Sequence, residues 1–172
     1  MDSHQLKCKS LPKNIHLVEE FVDTICDEFH VSNNYFGNII VAVTEAVENA
    51  IIHGNKKNPR KNIFVTFEQK PAVLSFTIED QGNGFDYNNI SDPTDISKES
   101  NSNKGRGMYL IKSLADKVIF SDNGKKIELL FDISSINNEL AIDRINQLKI
   151  YSEAKQHQKN LNSNDKSTSK NK

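Results

Sequence analysis

Cysteine is scarce in this chain. Cys8 and Cys26 are the only two, with no CxxC and no metal-ligand spacing, so a disulfide framework is excluded. A surplus of one charge is also missing: 22 Lys and Arg face 23 Asp and Glu, a formal net charge of -1. Such a chain has no global pull toward nucleic acid or anionic lipid, which excludes a general polyanion binder and gives an expectation of no direct nucleic-acid partner. No apolar run approaches the roughly 20 residues that span a bilayer, and the start Met-Asp-Ser-His-Gln has neither the basic nor the apolar region of a signal peptide. The expectation is a cytoplasmic protein with no membrane partner. The five histidines show no HExxH or similar spacing, which argues against a histidine metal site. No repeat of solenoid period is present.

What is present fits one ordinary domain with an extension: 172 residues, 36% hydrophobic and 26% charged. Alternation over residues 5–10 predicts an edge strand within an amino-terminal segment 1–13, ended by Leu11-Pro12. Asn14 is placed to cap a helix carrying Leu17, Val18, Phe21, Val22, Ile25, Cys26 and Phe29 at steps of three and four, and Phe21 and Phe29 are expected in the core. A second, longer helix starts at Ser32, carries Phe36, Ile39, Ile40, Val43, Val47, Ala50 and Ile51, and stops at Gly54. Residues 62–69 and 72–80 read as a β-hairpin turning at Lys70-Pro71. Residues 86–104 have no periodicity and read as a mobile functional loop. Helical spacing resumes at 108–114, and two further strands, 117–122 and 125–133, flank Asn123-Gly124, a dipeptide suited to positive φ. Beyond residue 133 an amphipathic helix is expected within 134–156, followed by a disordered polar tail over 157–172.

Three stretches could carry chemistry. On the second helix, Glu45 and Asn49 lie four apart and share a face. An amide oxygen can ligate a hard cation whose other ligands are phosphates and waters, and a carboxylate one turn away can take a proton from a hydroxyl. By itself such a pair reads as ordinary solvent-facing polarity. The second stretch is Glu79-Asp80-Gln81-Gly82-Asn83-Gly84 at a strand end. There Asp80 could accept from an exocyclic amine while the glycines let backbone approach a flat base, although a capped glycine turn is the simpler reading. The third, Lys104-Gly105-Arg106-Gly107-Met108, feeds a helix whose first amides could cradle phosphate, with Lys104 and Arg106 adding charge. It is neither a Walker A loop nor a G-x-G-x-x-G turn.

In this order the three stretches resemble the N box and the two glycine boxes of the GHKL ATPase superfamily, which includes histidine kinases, gyrase-like ATPases and heat-shock protein 90. Glu45-Ala46-Val47-Glu48-Asn49-Ala50 with His53-Gly54-Asn55, and Lys104-Gly105-Arg106-Gly107-Met108-Tyr109-Leu110-Ile111, look most like the anti-sigma factor serine kinases. The resemblance covers residues 14–131 and implies a histidine kinase-like ATPase domain over about 14–133. It implies an α+β fold: a two-layer sandwich with a mixed, largely antiparallel sheet covered by helices on one face. It also implies ATP and Mg²⁺ as cofactors. Asn49 would match the Mg²⁺ ligand, Glu45 the catalytic carboxylate, Asp80 the adenine reader, Gly82 and Gly84 the glycines beneath the base, and Gly105 and Gly107 the phosphate-loop glycines. Lys104, Arg106 and Met108 would bind the nucleotide with them. The partners implied are a STAS-domain antagonist, phosphorylated on Ser or Thr, a sigma factor, and a second copy in a homodimer.

The last hairpin departs from the pattern, with Gly124-Lys125-Lys126 where many relatives have Gly-Thr. A sensor histidine kinase is disfavoured because the residues ahead of Glu45 are too few for a phosphoacceptor hairpin and the first domain helix, and a topoisomerase or chaperone would need further domains. Two alternatives stand beside a kinase: an ATP-binding interaction module without phosphotransfer, and a scaffold that binds no nucleotide. His53 is expected to pack structurally at the helix end, and Lys56, Lys57, Arg60 and Lys61 to form a solvated loop.

Overall fold

A computed structural model describes residues 3–84, 106–133 and 146–153. The chain divides into two units, Met1–Ile136 and Asn137–Lys172. In the second, residues 146–153 are helical, with Ile150 exposed. The expected loop 86–104, the tail 157–172, and Leu140, Ala141 and Ile145 of the expected amphipathic helix lie outside the described residues.

In the first unit, strands β1 (Ser3–Lys9), β2 (Asn62–Lys70), β3 (Val73–Asp80), β4 (Lys117–Ser121) and β5 (Lys126–Asp132) form one sheet in the order β1-β2-β3-β5-β4. Every pairing is antiparallel, so the mixed sheet allowed for by the sequence is antiparallel throughout its described strands. Alternate residues bury one face: Ile63, Val65 and Phe67 of β2, Leu74, Phe76 and Ile78 of β3, and Ile127, Leu129 and Phe131 of β5. The Phe67–Phe76 and Phe76–Phe131 centroids are 5.1 and 6.2 Å apart, an aromatic row crossing the three central strands.

Three helices pack on the sheet: α1 (Ile15–Glu28), α2 (Asn33–Asn49) and α3 (Arg106–Leu114). Each buries one stripe, Val18, Val22, Ile25 and Cys26 in α1, Ile39, Ala42, Val43, Ala46 and Val47 in α2, and Leu110, Ile111 and Leu114 in α3. The result is the expected two-layer α+β sandwich. Phe21 and Phe29 are half-buried rather than core, and Phe29 stacks at the sheet margin, 4.8 Å from the Phe67 ring. Both cysteines are buried and free. Burial, followed by Asp23 and Asp27, pushes the Cys26 thiol up to about 11, which leaves it inert at neutral pH.

The helical stretch Tyr35–Gly54 is 20 residues long with a mean hydropathy of 1.2, enough to cross a membrane by length and composition, against the expectation that no run comes close. Ile39, Ala42, Val43, Ala46, Val47, Ala50 and Ile51 of this stretch are buried here, while Ile52 is exposed. A buried core helix meets the same measure.

Candidate nucleotide pocket

The second helix does not end as a regular helix. After Asn49 the chain widens into a π-helical turn over Ala50–Gly54, closed by the Asn55 amide donating to the Ala50 carbonyl at 2.8 Å. Asn55 is 1% exposed and bridges outward: its side-chain amide donates to the Asn62 carbonyl, and its side-chain oxygen accepts from the Gln81 amide, each at 2.9 Å. These bonds tie the end of the helix to the start of β2 and to the chain leaving β3.

That tie brings two of the three stretches together. A cavity of about 450 Å³ is lined by Glu45, Asn49, His53 and Gly54 from α2 and its π turn, and by Ile78, Asp80 and Gly84 from β3 and the turn after it. Gly107 and Met108 of α3 close it from the third stretch, and Phe120, Gly124, Lys125 and Ile127 from the β4–β5 hairpin. Its size and its mainly apolar walls suit a small organic ligand, with polar groups at defined points.

Asp80 is 8% exposed, and its Oδ1 accepts the Gly82 amide at 2.6 Å. Burial raises its carboxyl above the ordinary value of 3.8, while the Gly82 amide, Lys61 and Lys125 pull the other way. Two glycines make room for it. A Cβ on Gly54 would collide with the Asp80 carboxylate, and a Cβ on Gly82 would meet the Gly54 carbonyl and lie 2.7 Å from Asp80 Oδ1. Gly84 has φ +77, and a Cβ there would strike the Asn123 carbonyl. Gly107 sits over the other polar pair: its Cβ would be 2.7 Å from Glu45 Oε2 and 3.5 Å from Asn49 Nδ2. The start of α3 therefore lies directly against Glu45 and Asn49, with its first amides at the cavity.

Of the residues singled out from sequence, Glu45, Asn49, Asp80, Gly84, Gly107 and Met108 share this cavity. Gly82 is buried behind Asp80 and does not line the cavity. Lys104 and Gly105 lie outside the described residues, and Arg106 is described only as the first residue of α3. His53, expected to pack structurally, is exposed on the cavity rim. Sequence reasoning missed three contributors. In the sequence Gly54 reads only as a helix stop, nothing marks Asn55 for a bridging role, and Lys125 stands out only as a departure from a Gly-Thr pattern.

The profile of the histidine kinase-like ATPase domain matches residues 8–131. The chain belongs to the histidine kinase-like ATPase family. An anti-sigma F factor of Bacillus cytotoxicus is 31% identical over 103 residues, 58% of this chain and 70% of that protein. The serine-protein kinase RsbW of Staphylococcus epidermidis is 33% identical over 101 residues, 52% of this chain and 61% of the relative. That of Staphylococcus aureus is 34% identical over 98 residues, 52% and 60% of the two. The chain thus spans about three-fifths of the kinase relatives.

Proposed function

We propose that this chain binds Mg²⁺·ATP in the cavity and transfers its γ-phosphoryl group to a Ser or Thr of a STAS-domain antagonist, working as an anti-sigma, partner-switching kinase. Convergence carries the reading: Glu45, Asn49, Asp80 and the start of α3 meet at one cavity although they are far apart in sequence. Asp80, at the buried end, accepts from the adenine amine, and Gly84 gives the base room. The Asn49 side chain offers one neutral oxygen, a donor set that fits Mg²⁺ when phosphates and water complete the octahedron. The first amides of α3, which opens at Arg106, cradle the phosphates together with Lys104 and Gly105 ahead of them.

Glu45 accepts the proton of the substrate hydroxyl as its oxygen attacks the γ-phosphorus and ADP departs with the bridging oxygen. The relatives' names support a sigma-factor circuit. The same reading includes a homodimer in the cytoplasm that engages neither membrane nor nucleic acid directly.

Glu45→Gln tests it. The variant keeps ATP affinity within about twofold and loses phosphotransfer by about a hundredfold or more, the usual worth of a general base. A variant as active as the parent removes Glu45 from the chemistry. A parent protein that binds ATP but never labels a STAS partner with phosphate overturns the kinase in favour of an ATP-dependent binding module.

A further inference from the structure

Lys125 lines the cavity with its side chain 32% exposed, so its stem meets the cavity while its ammonium keeps access to water. Its main chain is fixed there, because the Asp80 amide donates to the Lys125 carbonyl at 3.0 Å and joins the end of β3 to the start of β5. Its side chain lines the cavity on the same wall as Asp80 and Gly84, and its Cγ lies 3.4 Å from where a Cβ on Gly84 would sit. Among the described residues its one ion pair is loose, 4.0 Å to the exposed Asp122 three residues earlier. The backbone bond sets Lys125 beside Asp80 on adjoining strands, and the two residues share one cavity wall.

We propose that Lys125 is a positioning residue for nucleotide recognition, its ammonium balancing the charge of the Asp80 carboxylate and its stem walling the base end of the cavity over Gly84. This deepens the nucleotide reading above and rests on it. Asp80 is faced by the Gly82 amide on its own turn, by Lys61 from the segment leading into β2, by Lys125 from the start of β5, and by Glu79 on its own strand. His53 and Glu45 share the cavity. Burial opposes ionisation of Asp80, while the two lysines and the Gly82 amide favour it. Lys61 does not line the cavity, so it supplies charge alone; Lys125 supplies charge and wall.

The two roles separate in ATP titrations of the whole 172-residue chain with Mg²⁺, followed by calorimetry from about pH 4 to 8 so that the range reaches the carboxylate region. Lys125→Met keeps the stem, weakens ATP by about five- to tenfold on the neutral plateau, and moves the acid loss of affinity to higher pH, because the carboxylate becomes harder to ionise. Lys61→Met moves the acid limb the same way but stays within about twofold on the plateau. Lys125→Arg restores both the plateau and the limb. In an Asp80→Asn background, Lys125→Met loses its effect on the acid limb and most of its effect on affinity, since coupled residues are non-additive.

Unliganded melting temperatures within about 2 °C of the parent show that the variants fold. Lys125→Met with parental affinity and an unmoved acid limb overturns the proposal, as does full additivity with Asp80→Asn. A parent protein that binds no ATP at any of these pH values instead overturns the nucleotide reading itself.

Discussion

At the scale of single residues, the pocket depends on atoms that are absent as much as on those present. Asp80 can lie against the π turn only because Gly54 and Gly82 carry no Cβ. Gly54 needs no unusual backbone angle, since its φ is not among the positive ones. Alanine there is therefore tolerated by the helix and rejected by the carboxylate, whose Cγ would lie 2.5 Å from the new methyl. Gly54→Ala should leave the circular dichroism spectrum intact while the displaced Asp80 costs ATP affinity at least about tenfold, or 1.4 kcal/mol. Unchanged affinity in a folded Gly54→Ala protein would show that the carboxylate position does not matter to binding. None of this is legible in sequence. A glycine after an apolar helical run reads as a stop signal, and only the return of β3 to the helix end turns it into a contact. Lys125 was obscured in the same way, because a hairpin residue's side of the sheet depends on register.

At the scale of elements, periodicity revealed α1, α2 and the strands, since each needs one apolar face and its spacing fixes the period. It could not show the π turn at Ala50–Gly54, whose Ala-Ile-Ile-His-Gly sequence also suits an α-helix. It did anticipate β1 as an edge strand, but not that its neighbour is β2, a pairing across a long sequence separation. On the face of the sheet away from the helices, β2, β3 and β5 are bridged by one carboxylate: Glu128 Oε1 accepts Lys70 Nζ at 2.8 Å and Ser75 Oγ at 2.7 Å. These bonds, that from Lys70 foremost, hold the Glu128 carboxyl below its ordinary 4.5. A depressed carboxyl contributes stability that is present above the unfolded value and disappears as the pH falls through the folded one. Glu128→Gln should thus lower stability at pH 7 yet flatten its loss below about pH 4.5, read from urea unfolding midpoints across that range. Parallel acid limbs in the two proteins would show that the bridge makes no contribution.

At the scale of the whole first unit, the pocket lies where two otherwise separate parts of the fold meet. One wall is the α2 and α3 layer and the other is the open end of the sheet at β3 and β5. A ligand spanning both walls binds the folded chain and has no counterpart site in the unfolded one. Mass action then requires that Mg²⁺·ATP at 100 times its dissociation constant stabilise the protein by about 2.7 kcal/mol, a rise in Tm on the order of 8 °C for a domain of this size. The shift should depend on the polar groups at both ends of the cavity, so Asp80→Asn at the same ATP concentration should lose most of it. If Glu45 takes the proton as proposed and does not bind the nucleotide, Glu45→Gln should retain it. Differential scanning calorimetry of the three proteins, each with and without nucleotide, provides the measurement. An equal shift in parent and Asp80→Asn would place the nucleotide outside this cavity, whereas a shift lost in Glu45→Gln as well would make Glu45 a binding group and take the proton-acceptor role away from it.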